Sequence, residues 1–344
     1  MCTFWVSKRL LSLLLMLEVV VQFFDQSVMA AEPKWVSIEQ GQGQDFVTAF
    51  SHQQQSLFYG RSDLDVSFSI IRQLALTNRQ PETLALTTTA DYDFISSPSV
   101  VEFQGQEFLY YLVSARFFGT QAQWLRAPLS DLKAAEPVTL PGNYGAYSIA
   151  RVLALHDGSL GMVYRAGRSQ LFFSRSVDGV TFDEPVQFAV GTMPASASFA
   201  DGTVLVSYHN GPSISEMAGR LQVSADSGQS WSEVVSLPQQ GNIHDLSPVK
   251  RRDGNIDIYF SAQGENQRLG LYRTCVTPEL AFGPAEELIS SEQAHAAKST
   301  AHPTSKGLLL TFTQQTDDLK EGNLSLMWLE REAPSCPEPV AVAE

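Results

Sequence analysis

The sequence predicts an all-β chain folded as a six-bladed β-propeller of four-stranded antiparallel blades, with five or seven blades as the alternative counts. Three observations predict it. Helical periodicity is nearly absent after the N-terminal segment, a glycine-centred hairpin pattern recurs five times, and each hairpin is followed by a third short alternating run, most of them by a fourth.

The hairpins are VEFQGQEFLYYLVSA, LALHDGSLGMVYRAG, ASFADGTVLVSYHNG, VKRRDGNIDIYFSAQ and PTSKGLLLTFTQQ. Their turn glycines, Gly105, Gly158, Gly202, Gly254 and Gly307, follow one another at 53, 44, 52 and 53 residues. Asp-Gly between alternating apolar runs marks a tight turn that needs positive φ, which glycine takes at no steric cost. Third strands follow as QWLRAP, LFFSRS, LQVSAD, LGLYRT and LSLMWL, and outer segments as EPVTL, EPVQF, SEVVSL and PAEEL. Four strands at such a period describe stacked propeller blades. FVTAFSHQQQSLFYGRSDLDVSFSII supplies a sixth unit. Trp35-Val36-Ser37-Ile38 is placed to pair with the last blade and close its open edge.

The ends of the chain read differently. Lys8 and Arg9, the apolar run Leu10 to Phe24, and Val28-Met29-Ala30 have the order of a secretory signal peptide over residues 1–31. Residues 32–331 are then the single propeller domain, and 332–344 an extended tail. A secreted or periplasmic chain without membrane insertion is expected, since Glu18 interrupts a run already short for a span. Cys275 and Cys336 are the even pair left after the signal, open to a disulfide or to two free thiols.

Charge narrows the partners. A formal net charge of −14 and a pI near 4.9, with no basic cluster longer than Lys250-Arg251-Arg252, argue against nucleic acid. His244, His295 and His302 lie on different predicted blades without ligand spacing, so no metal and no cofactor is expected. The expected partner is a carbohydrate or glycoconjugate, and the expected state a monomer.

Between the third and fourth strands of one unit stands SADSGQSW. One unit earlier the same place holds SVDGVTF. The first fits S-x-D-x-G-x-x-W with Ser224, Asp226, Gly228 and Trp231. The second fits a shortened form with Ser176, Asp178, Gly179 and Phe182. This pattern resembles the Asp-box (BNR repeat) of the sialidase (neuraminidase) superfamily. The residue types suit a structural clamp: an Asp side chain bonding its own turn, a Gly for the left-handed position, and a Trp burying its face with its N–H on an acceptor. A calcium loop would need more acidic ligands than Ser227 and Gln229 provide.

The resemblance implies a site on the face away from the boxes. It also implies arginines gripping a substrate carboxylate, a Tyr nucleophile assisted by a Glu, and an Asp acid/base. On that reading Asp93 or Asp245 is the acid/base and Tyr147 the nucleophile. Arg165, Arg220, Arg268 and His244 bind substrate, guanidinium being the planar partner of carboxylate. The sequence departs from the family in lacking an Arg-Ile-Pro signature, its early arginine, Arg61, lying in GRSD instead. Two functions follow as expectations, a glycoside hydrolase or glycan-processing protein and a non-catalytic glycan- or protein-binding module. An envelope scaffold is a third.

Overall fold

The computed structural model describes residues 35–42, 48–63, 68–76, 81–83, 86, 92, 94–115, 122–141, 149–213, 215–239, 241–305, 307–315, 321–329 and 336. Every regular element among them is a strand.

After β1 (Trp35–Gln42), blade 1 holds β2 (Thr48–Ser51), β3 (Ser56–Asp63), β4 (Phe68–Ala75) and β5 (Pro81–Thr83). Blade 2 holds β6 (Phe94–Phe103), β7 (Gln106–Ser114), β8 (Ala122–Pro128) and β9 (Glu136–Pro137). Blade 3 holds β10 (Ala150–Ala154), β11 (Leu160–Ala166), β12 (Gln170–Ser176) and β13 (Val186–Val190). Blade 4 holds β14 (Thr192–Ser198), β15 (Val204–Asn210), β16 (Ala218–Ser224) and β17 (Val235–Ser236). Blade 5 holds β18 (Ile243–Lys250), β19 (Ile256–Gln263), β20 (Leu269–Val276) and β21 (Glu286–Ile289). Blade 6 joins β22 (Ala296–Thr304), β23 (Gly307–Gln315) and β24 (Glu321–Leu329) to β1.

Within each blade the strands pair antiparallel in chain order, and β1 closes blade 6 on the outer side of β24. The first strands touch one another in a closed cycle, β2, β6, β10, β14, β18, β22 and back to β2, so they ring a central channel. Six blades are present, and the N-terminal closing strand is where the sequence places it.

Packing explains why alternating sequences make this shape. Each inner face is apolar and is buried against the next blade, so the core lies in seams between blades. Val101, Tyr110 and Trp124 of blade 2 meet Leu160, Met162 and Phe182 of blade 3. The closing seam joins Phe50, Leu57 and Tyr59 of blade 1 to Leu309, Leu324 and Leu326 of blade 6. Burying each such side chain stabilises by about 1.5–3 kcal/mol. The hydroxyls of buried tyrosines find partners: Tyr110 donates to Gly179 O at 2.7 Å and Tyr208 to Gln222 Oε1 at 2.9 Å.

Antiparallel order puts the first–second and third–fourth turns at one end of every blade and the remaining connections at the other. The five turn glycines take φ between 79° and 141°, as their Asp-Gly and related turns require. In blade 1 the same turn is built without glycine. Gln55 takes φ 51°, and the Glu107 carboxylate of blade 2 accepts from Ser51 Oγ at 2.5 Å and from His52 N at 2.7 Å. Cys275 of β20 and Cys336 form a disulfide with Cα atoms 5.4 Å apart, tying the tail to blade 5. The proposed signal segment, residues 1–31, lies outside the described residues.

Candidate functional site

At the turn end the Asp-box sequence forms a closed hydrogen-bonded loop. Gly228 N donates to Ser224 Oγ at 2.7 Å, and Ser224 Oγ donates to Asp226 Oδ1 at 2.7 Å. Ser230 N and Ser230 Oγ donate to the two Asp226 oxygens at 2.9 and 2.5 Å. These Ser230 bonds, above all, hold the Asp226 carboxyl well below its ordinary value, at about 2. Trp231 stacks on Phe188 at 4.7 Å and meets the edge of Phe173 at 5.4 Å, both on the preceding blade. One expectation is corrected here. The Trp231 indole N–H is buried and finds no acceptor among the described residues, its ring being stacked in the seam between blades 3 and 4.

The shortened box repeats the arrangement. Gly179 N donates to Ser176 Oγ at 2.8 Å, Val180 N and Thr181 N donate to Asp178 Oδ1 at 2.7 Å, and Phe182 enters the seam with blade 2. Arg126 of blade 2 grips the Asp178 carbonyl at 2.9 Å. Blade 5 carries a third version that the sequence reading missed. Thr277 Oγ1 accepts from Ala281 N at 3.3 Å, Leu280 takes φ 61°, and Phe282 packs on the core cluster between blades 4 and 5. The signal was a hydroxyl followed, five residues later, by an aromatic; without Asp or Gly it reads as a plain loop.

The opposite end is built differently. Four of the first strands carry a β-bulge there, between Ser96 and Ser99, Thr192 and Ala195, His244 and Ser247, and Ala297 and Thr300. Inside each bulge one residue is left-handed: Ser97 at φ 55°, Met193 at 52°, Asp245 at 55° and Lys298 at 54°. None is glycine, so each position costs about 1 kcal/mol or more, and bulges of this kind re-aim side chains. Met193, Asp245 and Lys298 line one mouth cavity of about 30 Å³ together with Arg151, Ser247 and Ser299.

Around Asp245 the polar groups are ordered. Lys298 N donates to Asp245 Oδ2 at 2.7 Å, and Ser299 Oγ donates to Asp245 O at 3.3 Å. Asp245 N donates to His209 Nδ1 at 3.3 Å, which leaves the His209 proton on Nε2. The His209 and His244 rings meet edge to face at 5.2 Å. Burial pushes His209 down to about 4, opposed by Asp245 and helped by His244 and Arg165; burial lowers His244 as well. Both imidazoles are neutral at pH 7.

The structure distributes the other candidates as follows. Arg165 lies within β11, donates to Thr192 Oγ1 at 2.9 Å, and reaches His209 electrostatically. Arg220 is within β16 rather than the preceding loop, and its guanidinium bonds Ser236 of the outermost strand, since that strand position faces β17. Arg268 is in the loop between β19 and β20, its N–H on Asn266 Oδ1 at 3.1 Å. None of the three lines the mouth cavity or the channel beneath it. Asp93 and Tyr147 lie outside the described residues. Arg151 was missed by the sequence reading, although its place seven residues before a turn glycine matches that of Ser247.

No protein-family model matches the chain, and no curated protein matches it by sequence. Solved structures do match, as propellers. A protein of unknown function from Dyadobacter fermentans aligns at TM-score 0.65 and 12% identity, covering 86% of this chain and 98% of that one. The NanB sialidase of Streptococcus pneumoniae aligns at 0.65 and 10%, covering 87% and 71%. The Trypanosoma rangeli sialidase aligns at 0.57 and 11%, covering 83% of this chain and 55% of that one. The chain thus spans little more than half the length of the trypanosomal enzyme. By class the molecule is a six-bladed β-propeller. More narrowly, its fold is that of the sialidase propellers.

Proposed function

We propose that this is an exported glycan-processing propeller that takes an acidic carbohydrate at the bulged mouth, with Asp245 as the proton donor. The observation that carries the reading is Asp245 itself. A carboxylate held on a strained bulge, beside Lys298 and Arg151 and backed by neutral His209 and His244, fits general acid catalysis next to a bound anion. Lys298 and Arg151, which line the mouth cavity, supply positive charge for a sugar carboxylate. The similar trypanosomal sialidase is known in complex with sialic acid, which supports an acidic sugar as the substrate class. The apolar run and cleavage pattern of residues 1–31 support action outside the cytoplasm.

A second reading is favoured by one observation. The mouth cavity admits a substituent rather than a whole ring, and no tyrosine lines it or the channel among the described residues. Glycan binding without hydrolysis would need no nucleophile. Hydrolysis of fluorogenic sialosides and neutral glycosides by the mature protein, alongside calorimetric binding of the same sugars, separates the two. Processing predicts turnover that falls about 100-fold or more in Asp245→Asn. Binding without turnover favours the module, and neither binding nor turnover on any sugar overturns both.

A further inference from the structure

Below the mouth the channel widens to about 230 Å³. One level of the ring can be read by counting back from the turn glycines. Arg151, Ala195, Ser247 and Thr300 stand seven residues before Gly158, Gly202, Gly254 and Gly307, and Ser99 stands six before Gly105. All five line this cavity with Thr48, so one guanidinium interrupts a belt of small and hydroxyl side chains. Arg151 also lines the mouth cavity and therefore spans the boundary between the two spaces.

The donors at this level outnumber the acceptors. The Arg151 guanidinium makes one hydrogen bond among the described residues, from Nη1 to its neighbour's carbonyl, Ala150 O, at 3.0 Å. Burial without a carboxylate partner drags it down to about 10. Ser99 Oγ accepts from Val152 N, and Ser247 Oγ from Ala301 N, each at 3.1 Å. Each hydroxyl thereby spends a lone pair on the next blade and keeps its proton to give. Ser196 Oγ, in the same lining, is buried with no partner among the described residues.

Two carboxylates, Glu102 and Glu107, also line the cavity, and they belong to its other end. They face each other across the β6–β7 pair, about 10 Å along the strand from Ser99. Glu107 is occupied by the blade 1 turn, accepting from Ser51 Oγ and from the backbone of His52 and Gln53.

We infer that this level of the channel is a binding site for a small monovalent inorganic anion, of the size of chloride or nitrate, held by Arg151 and the hydroxyl protons of Ser99 and Ser247. Arg151 is half-buried in the channel wall with no carboxylate hydrogen-bonded to it among the described residues, Asp245 lying in the mouth cavity above, and an anion with several converging neutral donors compensates its charge. The site shares Arg151 and Ser247 with the mouth cavity but is argued from the channel lining and does not depend on the carbohydrate reading.

The test is thermal unfolding of the full mature protein in sodium chloride, nitrate or fluoride at constant ionic strength. The expected result is a saturable rise of about 2–4 °C with chloride or nitrate over fluoride, lost in Arg151→Met and reduced in Ser247→Ala. A Tm that ignores anion identity, or an Arg151→Met protein that keeps the full rise, overturns the assignment. Should Arg151→Met fail to fold, bromide-soaked crystals of the unaltered protein decide. An anomalous peak beside Arg151 and Ser99 supports the site, and a channel without one overturns it.

Discussion

The two ends of the propeller solve the same backbone problem in opposite ways. At the turn end, left-handed residues close tight turns and are carried mainly by glycine, with Gln55, Gln104, Ser227 and Leu280 completing similar turns. At the mouth end, left-handed residues interrupt paired strands, and those at the four bulges are Ser97, Met193, Asp245 and Lys298. The first arrangement puts its hairpin turns mainly on glycine and bonds its Asp-box carboxylates within their own loops. The second holds strain at a place that stability alone does not require, which is how a site differs from a clamp.

The contrast breaks most visibly at Gly228. A Cβ there would lie 2.1 Å from the Phe173 ring, at a φ of 91°. Gly228→Ala should cost about 3–5 kcal/mol by denaturant unfolding, combining overpacking with left-handed strain. Sugar binding at the mouth, measured on the folded fraction, should be unchanged. A loss of affinity comparable to an Asp245 variant's would show that the ends are not separable.

Acid separates the ends next. Burial holds His209 at about 4 and His302 at about 3, the latter also repelled by Arg151 and His52, against about 6.5 for an unfolded histidine. The unfolded chain therefore binds more protons between these values. Stability is complete above pH 6.5 and is lost as pH falls toward 4, by on the order of 3 kcal/mol for each histidine. His302 donates from Nε2 to Thr48 Oγ1, which continues to Thr311 and the Thr300 carbonyl, so protonation strikes the seam between blades 1 and 6. Asp226 of the box, held at about 2, loses its contribution only at lower pH, as acid falls through the carboxylate range. A Tm flat from pH 7 to 4 would remove the distinction.

The smallest effect is the sharpest probe of strain. Met193→Gly relieves a left-handed residue and should raise stability by about 0.5–1 kcal/mol while weakening sugar binding at the mouth. A fall in stability would mean that Met193 packing outweighs the backbone cost.

How much of this was legible in the sequence depends on what chemistry each feature demands. The turn glycines and the Asp-box were readable because tight turns admit few residue types. Blade 1 was fainter because its turn uses Gln55 and borrows Glu107 from its neighbour, a contact between positions 51 and 107 that no local pattern announces. The bulges were invisible, since Met193 and Lys298 carry no preference for the conformation they adopt. Arg151 reads locally as an outward charge in RVLAL; only counting from Gly158 turns it inward. Arg220 reads as a loop charge for the complementary reason, lying on a strand that sends its guanidinium to the outer edge.

The closing strand has a kinetic consequence. Ser37 Oγ and Ser325 Oγ sit 3.1 Å apart although 288 residues separate them. Five blades can assemble from hairpins of neighbouring sequence, whereas the sixth must wait until both ends of the domain have been made and have met. Suturing blade 6 therefore closes the longest loop of the ring. Joining the natural ends and opening the chain between two other blades would move that step elsewhere on the ring without changing the finished structure.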